Sequence, residues 1–320
     1  MAADQGQAEA SQQKARAQKI YYGCPAVVGI SGPPGLGKTV DCLYSFPRAL
    51  FIAAPGSLKP AVTTVGWVPQ AEFADNVEGI AKVVQAALQR KNRDFDAVVV
   101  DDFGAAVSST ELEMMGTTKD GRAMYKRLAQ VVRKLMEDFR DFGVHVVVST
   151  HKKDPKTATN EAPGHPGGPA LPGALMTVVP SITDLWVNMY PDAMRRPHPA
   201  SYAAGLSPMG GQGTRDRHGI CGDKAPPNLG ELLRKAGYKI SRPPGMEWHE
   251  EAIEQLAQSV LQGQATIQQA ATYAVETLRS GNQEPWQIRW FLRDLADRIE
   301  INRAVQQRNA ALYAHLGVSL

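Results

Sequence analysis

The stretch "GISGPPGLGKTVDCL" (29–43) sets two prolines and four glycines between an apolar run and a segment of helical character. Gly32, Gly37, Lys38 and Thr39 satisfy the spacing G-x-x-x-x-G-K-[ST]. A loop of this kind turns its N–H groups inward around a phosphate. Glycine permits the positive φ angles and close backbone approach that this requires. Pro33 and Pro34 stiffen the loop, so less entropy is lost on binding. The expected cradle is Gly32, Pro33, Pro34, Gly35, Leu36, Gly37, Lys38, Thr39 and Val40. Lys38 is expected to be solvated in the empty site and to reach the β- and γ-phosphates of ATP, and Thr39 to hold Mg²⁺. The residues after it start a helix whose positive end favours the anion. Ala26–Ile30 reads as a buried strand, so the motif predicts a strand–loop–helix unit.

The pattern downstream extends that unit. "ALFIAA" (49–54) reads as a strand and "TTVGWV" (63–68) as another. Residues 76–92 carry Val77, Ile80, Val83, Val84 and Leu88 at helical spacing. "FDAVVVDDF" (95–103) is an apolar strand ending in two aspartates, 122–142 an amphipathic helix, and 144–151 a further buried strand. Such alternation predicts an α/β fold with a mostly parallel sheet covered by helices on both faces. Residues 155–175 hold five prolines and four glycines and read as a loop. Strands at 183–190, 201–206 and 213–219 complete a mixed sheet, followed by a short helix at 229–237 and a linker at 240–245. Residues 246–316 read as all-helical, with apolar stripes suited to packing or self-association. The expected organisation is a disordered tail (1–20), a P-loop domain (21–242) and a helical domain (246–320).

Candidate site residues follow from strand ends. Asp101 closes Val98-Val99-Val100 and is expected in the Mg²⁺ shell. Asp102 follows directly. Neighbours on a strand point to opposite faces, so Asp102 either polarises the attacking water or caps the next loop. Ser149, Thr150 and His151 end the adjacent strand, where they would either sense the γ-phosphate or serve local backbone and solvent. Arg215 and Arg217, two apart, share a strand face. They would serve as an arginine finger across a subunit boundary, or contact a DNA backbone, or be surface charge.

Charge separates the two parts. Residues 246–320 hold six arginines and no lysine against nine acids, leaving +6 on the preceding 245 residues of a chain with net charge +3. A basic front part permits nucleic-acid binding. Cys24, Cys42 and Cys221 are odd in number and lack metal spacing, which points to reduced thiols in a cytoplasmic compartment. No apolar run nears the roughly 18 residues of a membrane span, and the first 20 residues carry no apolar signal region.

Taken in order, "GPPGLGKT", "SFPRALFIA", "VVVDDF", "GRAMYKRLAQVVRKL", "HVVVSTHKK", "LPGAL", "ITDLWVNM", "RDRHG" and "NLGELLRKAG" resemble the RecA-like ATPases of bacteriophages, the group that includes single-strand-annealing ATPases. The resemblance spans about residues 22–240. It implies ATP hydrolysis on single-stranded DNA in recombination or replication, in the host cytoplasm. It also implies a homo-oligomeric ring or filament with ATP sites at subunit boundaries. Arg215-Asp216-Arg217-x-Gly219 is similar to the K-x-R-x-G finger of hexameric replicative helicases, with Arg in place of Lys. In that group the strand after the P-loop helix often ends in an acid that serves as catalytic base. Here Ala53, Ala54 and Pro55 stand there, which slows hydrolysis or moves the base to Asp102. Two other readings stay open. An AAA+ remodelling motor would suit "GPPGLGKT", although Asp-Asp replaces Asp-Glu. A nucleotide-binding assembly or packaging component would hydrolyse slowly. The DNA contact is expected at the 155–175 loop and its flanking Lys152, Lys153 and Lys156.

Overall fold

Strands β1 (Val27–Gly32) and β2 (Ala49–Ala53) are buried along their whole length, as central parallel strands covered on both faces must be. The computed structural model describes residues 25–90, 94–117, 120–141, 143–153, 168–193, 200–203, 214–221, 224–243, 245–246 and 248–315, the side chains of 308–315 excepted. The remaining strands are β3 (Gln70–Glu72), β4 (Ala97–Asp101), β5 (His145–Lys153), β6 (Gly168–Pro169), β7 (Leu185–Pro191), β8 (Ala200–Ala203) and β9 (Arg215–Asp216). They form one sheet in the order β3-β2-β4-β5-β1-β7-β8, with β6 paired to β5 and β9 to β7. The five pairings among β1 to β5 and β7 are parallel, and β6, β8 and β9 are antiparallel additions.

One strand, β5, separates the P-loop strand β1 from the aspartate strand β4. Gly32 lies opposite His151 and Val100 opposite Val148, so the ends of all three strands meet at one sheet edge. Alternation along β1 sends Val27 into one core layer and Val28 and Ile30 into the other. The first layer packs under α3 (Val77–Leu88) and α5 (Gly121–Asp141), whose Leu128, Val132, Leu135 and Phe139 lie on one buried stripe. The second packs under α1 (Lys38–Ser45) and α7 (Leu229–Lys235). The C-terminal helices α8 (His249–Leu261), α9 (Ile267–Ser280) and α10 (Pro285–His315) share a third core around Ile253, Ala274, Phe291 and Leu295.

The structure departs from the sequence expectation in places. Residues 63–68 are not a strand: α2 (Lys59–Val65) runs into them, opened by Pro60 and closed by Gly66 at φ 94°. The β-branched run Thr63-Thr64-Val65 imitates a strand locally. Two helices go beyond the sequence reading: α4 (Phe103–Thr117), whose short buried stripe of Phe103, Ala106, Val107 and Thr110 is blurred by the exposed Leu112 and Met115, and the short α6 (Leu175–Ile182). The segment 240–245 is not a free linker, because Ile240 and Arg242 are buried. The 1–20 tail, Cys24, Lys156 and residues 154–167 of the proline-rich loop lie outside the described residues. Among the described residues no helix is long and apolar enough to cross a membrane.

Candidate nucleotide site

Where β1 gives way to α1, the chain passes through Gly35 at φ 79° and Gly37 at φ 88°, a left-handed backbone that favours glycine. Gly37 is the N-cap of α1 and no side chain caps the helix, so its first N–H groups stay open to an anion. A cavity of about 700 Å³ opens beside this loop. Pro34, Gly35, Gly37, Lys38, Thr39 and Val40 line one wall, and Ala54, Asp75, Asp101, Asp102, Ser149 and His151 line others.

Lys38 is buried rather than solvated, at 8 % exposure. Its Nζ donates to the Gly32 and Pro33 carbonyls at 3.0 Å each. Burial pulls its pKa below the ordinary lysine value, against the attraction of Asp101 and Asp102. Among the described residues no carboxylate reaches ion-pair distance of it. A desolvated ammonium held only by neutral carbonyls is a site for an anion, and phosphate fits it. Asp101 Oδ2 accepts from Thr39 Oγ1 at 2.8 Å, and its Oδ1 accepts from Ser149 Oγ. A hydroxyl and a carboxylate side by side are the hard oxygen donors that suit Mg²⁺.

Asp101 and Asp102 were expected on opposite faces, yet both line this cavity. The strand ends at Asp101 and α4 starts at Phe103, so alternation no longer governs Asp102. Asp102 Oδ1 caps α4, accepting from Gly104 N at 2.7 Å. Its Oδ2 lies 3.3 Å from His151 Nε2. Burial raises the Asp102 pKa, although the Gly104 hydrogen bond and His151 work against it. Ser149 is tied to Asp101, while Thr150 Oγ1 is buried with no hydrogen-bond partner.

Arg215 and Arg217 are elsewhere. β9 pairs with the first residues of β7, Asp216 opposite Leu185, at the sheet edge away from the P-loop. Arg217 Nη1 lies 3.1 Å from Asp184 Oδ1 and Arg140 Nη2 lies 3.3 Å from the same oxygen. The other oxygen of Asp184 accepts from Val27 N at the start of β1. Arg215 completes the group, its pKa lowered by desolvation and by Arg217.

Behind the loop, Asp41 of α1 is fully buried and accepts from Tyr202 Oη, Leu229 N and Arg293 Nη2. Desolvation raises its pKa to about 6, against the pull of Arg293. Neither this anchoring nor Asp75 belongs to a local motif. Both depend on segments far apart in the chain, and only the N-cap signal at Asn76 marks the turn that carries Asp75.

An AAA domain family, AAA_24, matches residues 25–218. Among solved structures, the chain is similar to a KaiC-like protein from the hyperthermophilic archaeon Pyrococcus horikoshii OT3. The identity is 12 % and the TM-score 0.36, over 61 % of this chain and 91 % of that one. No curated protein matches the chain. The family match runs from β1 to β9 and takes in Lys38, Thr39, Asp101 and His151, and the chain belongs to the AAA_24 family of AAA-domain P-loop ATPases.

Proposed function

We propose that this ATPase acts on single-stranded DNA in recombination or replication, in the cytoplasm of a phage host, as an assembly of like subunits. The observation that carries the nucleotide half is Lys38, a buried cation with two carbonyl partners, set beneath an uncapped helix N-terminus. In this reading the loop from Gly32 to Val40 wraps the phosphates, and Lys38 holds the β- and γ-phosphates. Thr39 and Asp101 hold Mg²⁺, which when bound offsets the charge of the phosphate oxygens. His151 and Asp102 also line the cavity, where His151 senses the γ-phosphate.

The DNA half rests on the ordered resemblance and on charge. The part before residue 246 carries the basic excess. Arg140, Arg215 and Arg217 gather around a single carboxylate, Asp184. This surplus of positive charge serves either a neighbouring subunit's phosphates or a DNA backbone. Turnover of ATP with and without single-stranded DNA tests the proposal. Stimulated turnover together with salt-sensitive DNA binding supports it. Absence of both removes the DNA half and leaves a nucleotide-binding protein.

A second reading is favoured by one feature. Ala53 lies opposite Asp101 in the sheet register and Ala54 lines the cavity, so the end of β2 offers no acid. A nucleotide-binding assembly component with slow hydrolysis would look like this. It predicts tight ATP binding and a turnover that DNA does not change.

A further inference from the structure

Three carboxylates line the cavity beside the phosphate loop. Two are committed. Asp101 accepts from Thr39 and Ser149. Asp102 caps α4 through one oxygen and meets His151 through the other. The third is Asp75, which is exposed. Among the described residues its carboxylate has no hydrogen bond and no cation beside it.

Its position is built into the fold. β3 runs parallel to β2, with Glu72 opposite Ile52, so residues 73–75 leave the sheet at the edge that holds Ala53, Ala54 and Asp101. The turn is then fastened to α4. Asn76 Nδ2 donates to Glu113 Oε1 at 2.8 Å, and Val77 N donates to the buried Thr110 Oγ1 at 3.0 Å. Asn76 Oδ1 also caps α3 by accepting from Gly79 N at 2.7 Å. The same helix α4 starts just after Asp102 and gives Ala105, Ala106 and Ser109 to the cavity wall. Asp75 is therefore held against the cavity by the hydrogen bonds of its neighbours Asn76 and Val77 rather than by its own contacts.

Hydrolysis needs a group that takes a proton from water, and a carboxylate with free lone pairs does this. Neither alanine at the end of β2 can. We propose that Asp75 is the general base of ATP hydrolysis in this site, a proposal that rests on the nucleotide reading above. The oxygen of a water forms the new bond to the γ-phosphorus. The bond from that phosphorus to the β–γ bridging oxygen breaks, and its electron pair stays on ADP. The water's proton passes to the Asp75 carboxylate, and from this exposed residue to solvent.

The test uses the full chain and the variants Asp75→Asn, Asp75→Glu and Asp102→Asn. Turnover of ATP with Mg²⁺ and affinity for a fluorescent ATP analogue are both measured. General-base removal predicts a loss of about 10²- to 10⁴-fold in kcat for Asp75→Asn. Nucleotide affinity should stay within about threefold, because the interaction is made only on the way to the transition state. Asp75→Glu should restore part of the rate. Wild-type turnover in Asp75→Asn overturns the proposal, and a loss confined to Asp102→Asn moves the role to Asp102. A wild-type chain that binds ATP without hydrolysing it also overturns the proposal while sparing the nucleotide site. Unchanged ATP affinity in Lys38→Ala is a separate failure, that of the site itself.

Discussion

Tyr44 of the P-loop helix donates a 2.6 Å hydrogen bond to Asp294 of α10, 250 positions later in the chain. The Tyr44 ring also stacks on Trp290, with centroids 3.8 Å apart. Arg293 lies over both rings and reaches Asp41. The C-terminal helices are thus part of the foundation on which the phosphate loop stands. Between them and α7 sits a buried ion network. Glu231 is fully buried; burial works to raise its pKa, but Arg234, Arg242 and Arg298 hold it below the usual value. Arg242 bridges Glu231, Glu250 and Asp294 from the segment that reads as a linker in the sequence.

A chain ending at Arg242 should therefore fail to fold. It would strand Glu231 and Tyr44 without Arg298, Asp294 and Trp290. Breaking a buried charge pair costs about 3–5 kcal/mol, and a whole domain has only about 5–15 kcal/mol to lose. Circular dichroism during heating decides the matter. A cooperative transition at the full-length temperature would make α8–α10 a detachable domain.

Lys38→Ala should abolish ATP binding with little change in stability, within about 1 kcal/mol. Two effects oppose each other in the fold: the variant loses bonds to two carbonyls and also removes a desolvated charge. Fluorescent-nucleotide titration and a urea melt separate the two readouts. Retained affinity would take Lys38 out of the site.

How far the sequence reveals this structure depends on the range of the interaction concerned. The β1–α1 unit is legible because four residues, Gly32, Gly37, Lys38 and Thr39, fall at one fixed spacing. α5 is legible from its stripe, and β4 and β5 from apolar runs of strand length. α4 is not, since its buried face of Phe103, Ala106, Val107 and Thr110 covers only the first two turns, and the exposed Leu112 and Met115 blur the pattern after it. α2 hides behind three β-branched residues, and only Pro60 and Gly66 mark its ends. Asp75 and Arg242 are set by partners from other segments, Glu113 for the turn beside Asp75 and Glu231, Glu250 and Asp294 for Arg242. Local periodicity carries no record of such pairings.

Arg217→Ala should cost little stability, because its ion pair with Asp184 is partly exposed and such pairs contribute about 0–1 kcal/mol. If Arg217 serves a neighbour's nucleotide, turnover should fall by about 10³-fold or more. It lies at the sheet edge away from its own cavity, so it cannot act within one subunit. Mixing Arg217→Ala with Lys38→Ala should restore part of the activity, since each supplies what the other lacks. Wild-type turnover in Arg217→Ala would leave it a surface or DNA-contacting arginine.

His249 makes the acid side of the stability curve testable. It is buried edge-on between Trp248 and Phe291, with centroids 3.8 and 4.9 Å away, and neither ring nitrogen has a hydrogen-bond partner. Burial, aided by Arg242, lowers its pKa to about 4. In the unfolded chain a histidine titrates near 6.5. Between these two values the unfolded state binds the extra proton, so stability rises with pH across that window and is lost as pH falls through it. Asp41 has the opposite sign, its pKa being raised to about 6, but it is present in both proteins and cancels in a comparison. Glu250, depressed to about 2 by Arg242 and Arg298 against its burial, acts mainly below this window and cancels too. His249→Phe keeps the aromatic packing and removes the titrating ring. It should match or exceed the wild-type chain near neutral pH and gain on the order of 2 kcal/mol over it at about pH 4.5. Urea melts of the two proteins at both pH values measure this difference. Parallel stability curves would mean that His249 is already protonated, or already hydrated, in the folded state.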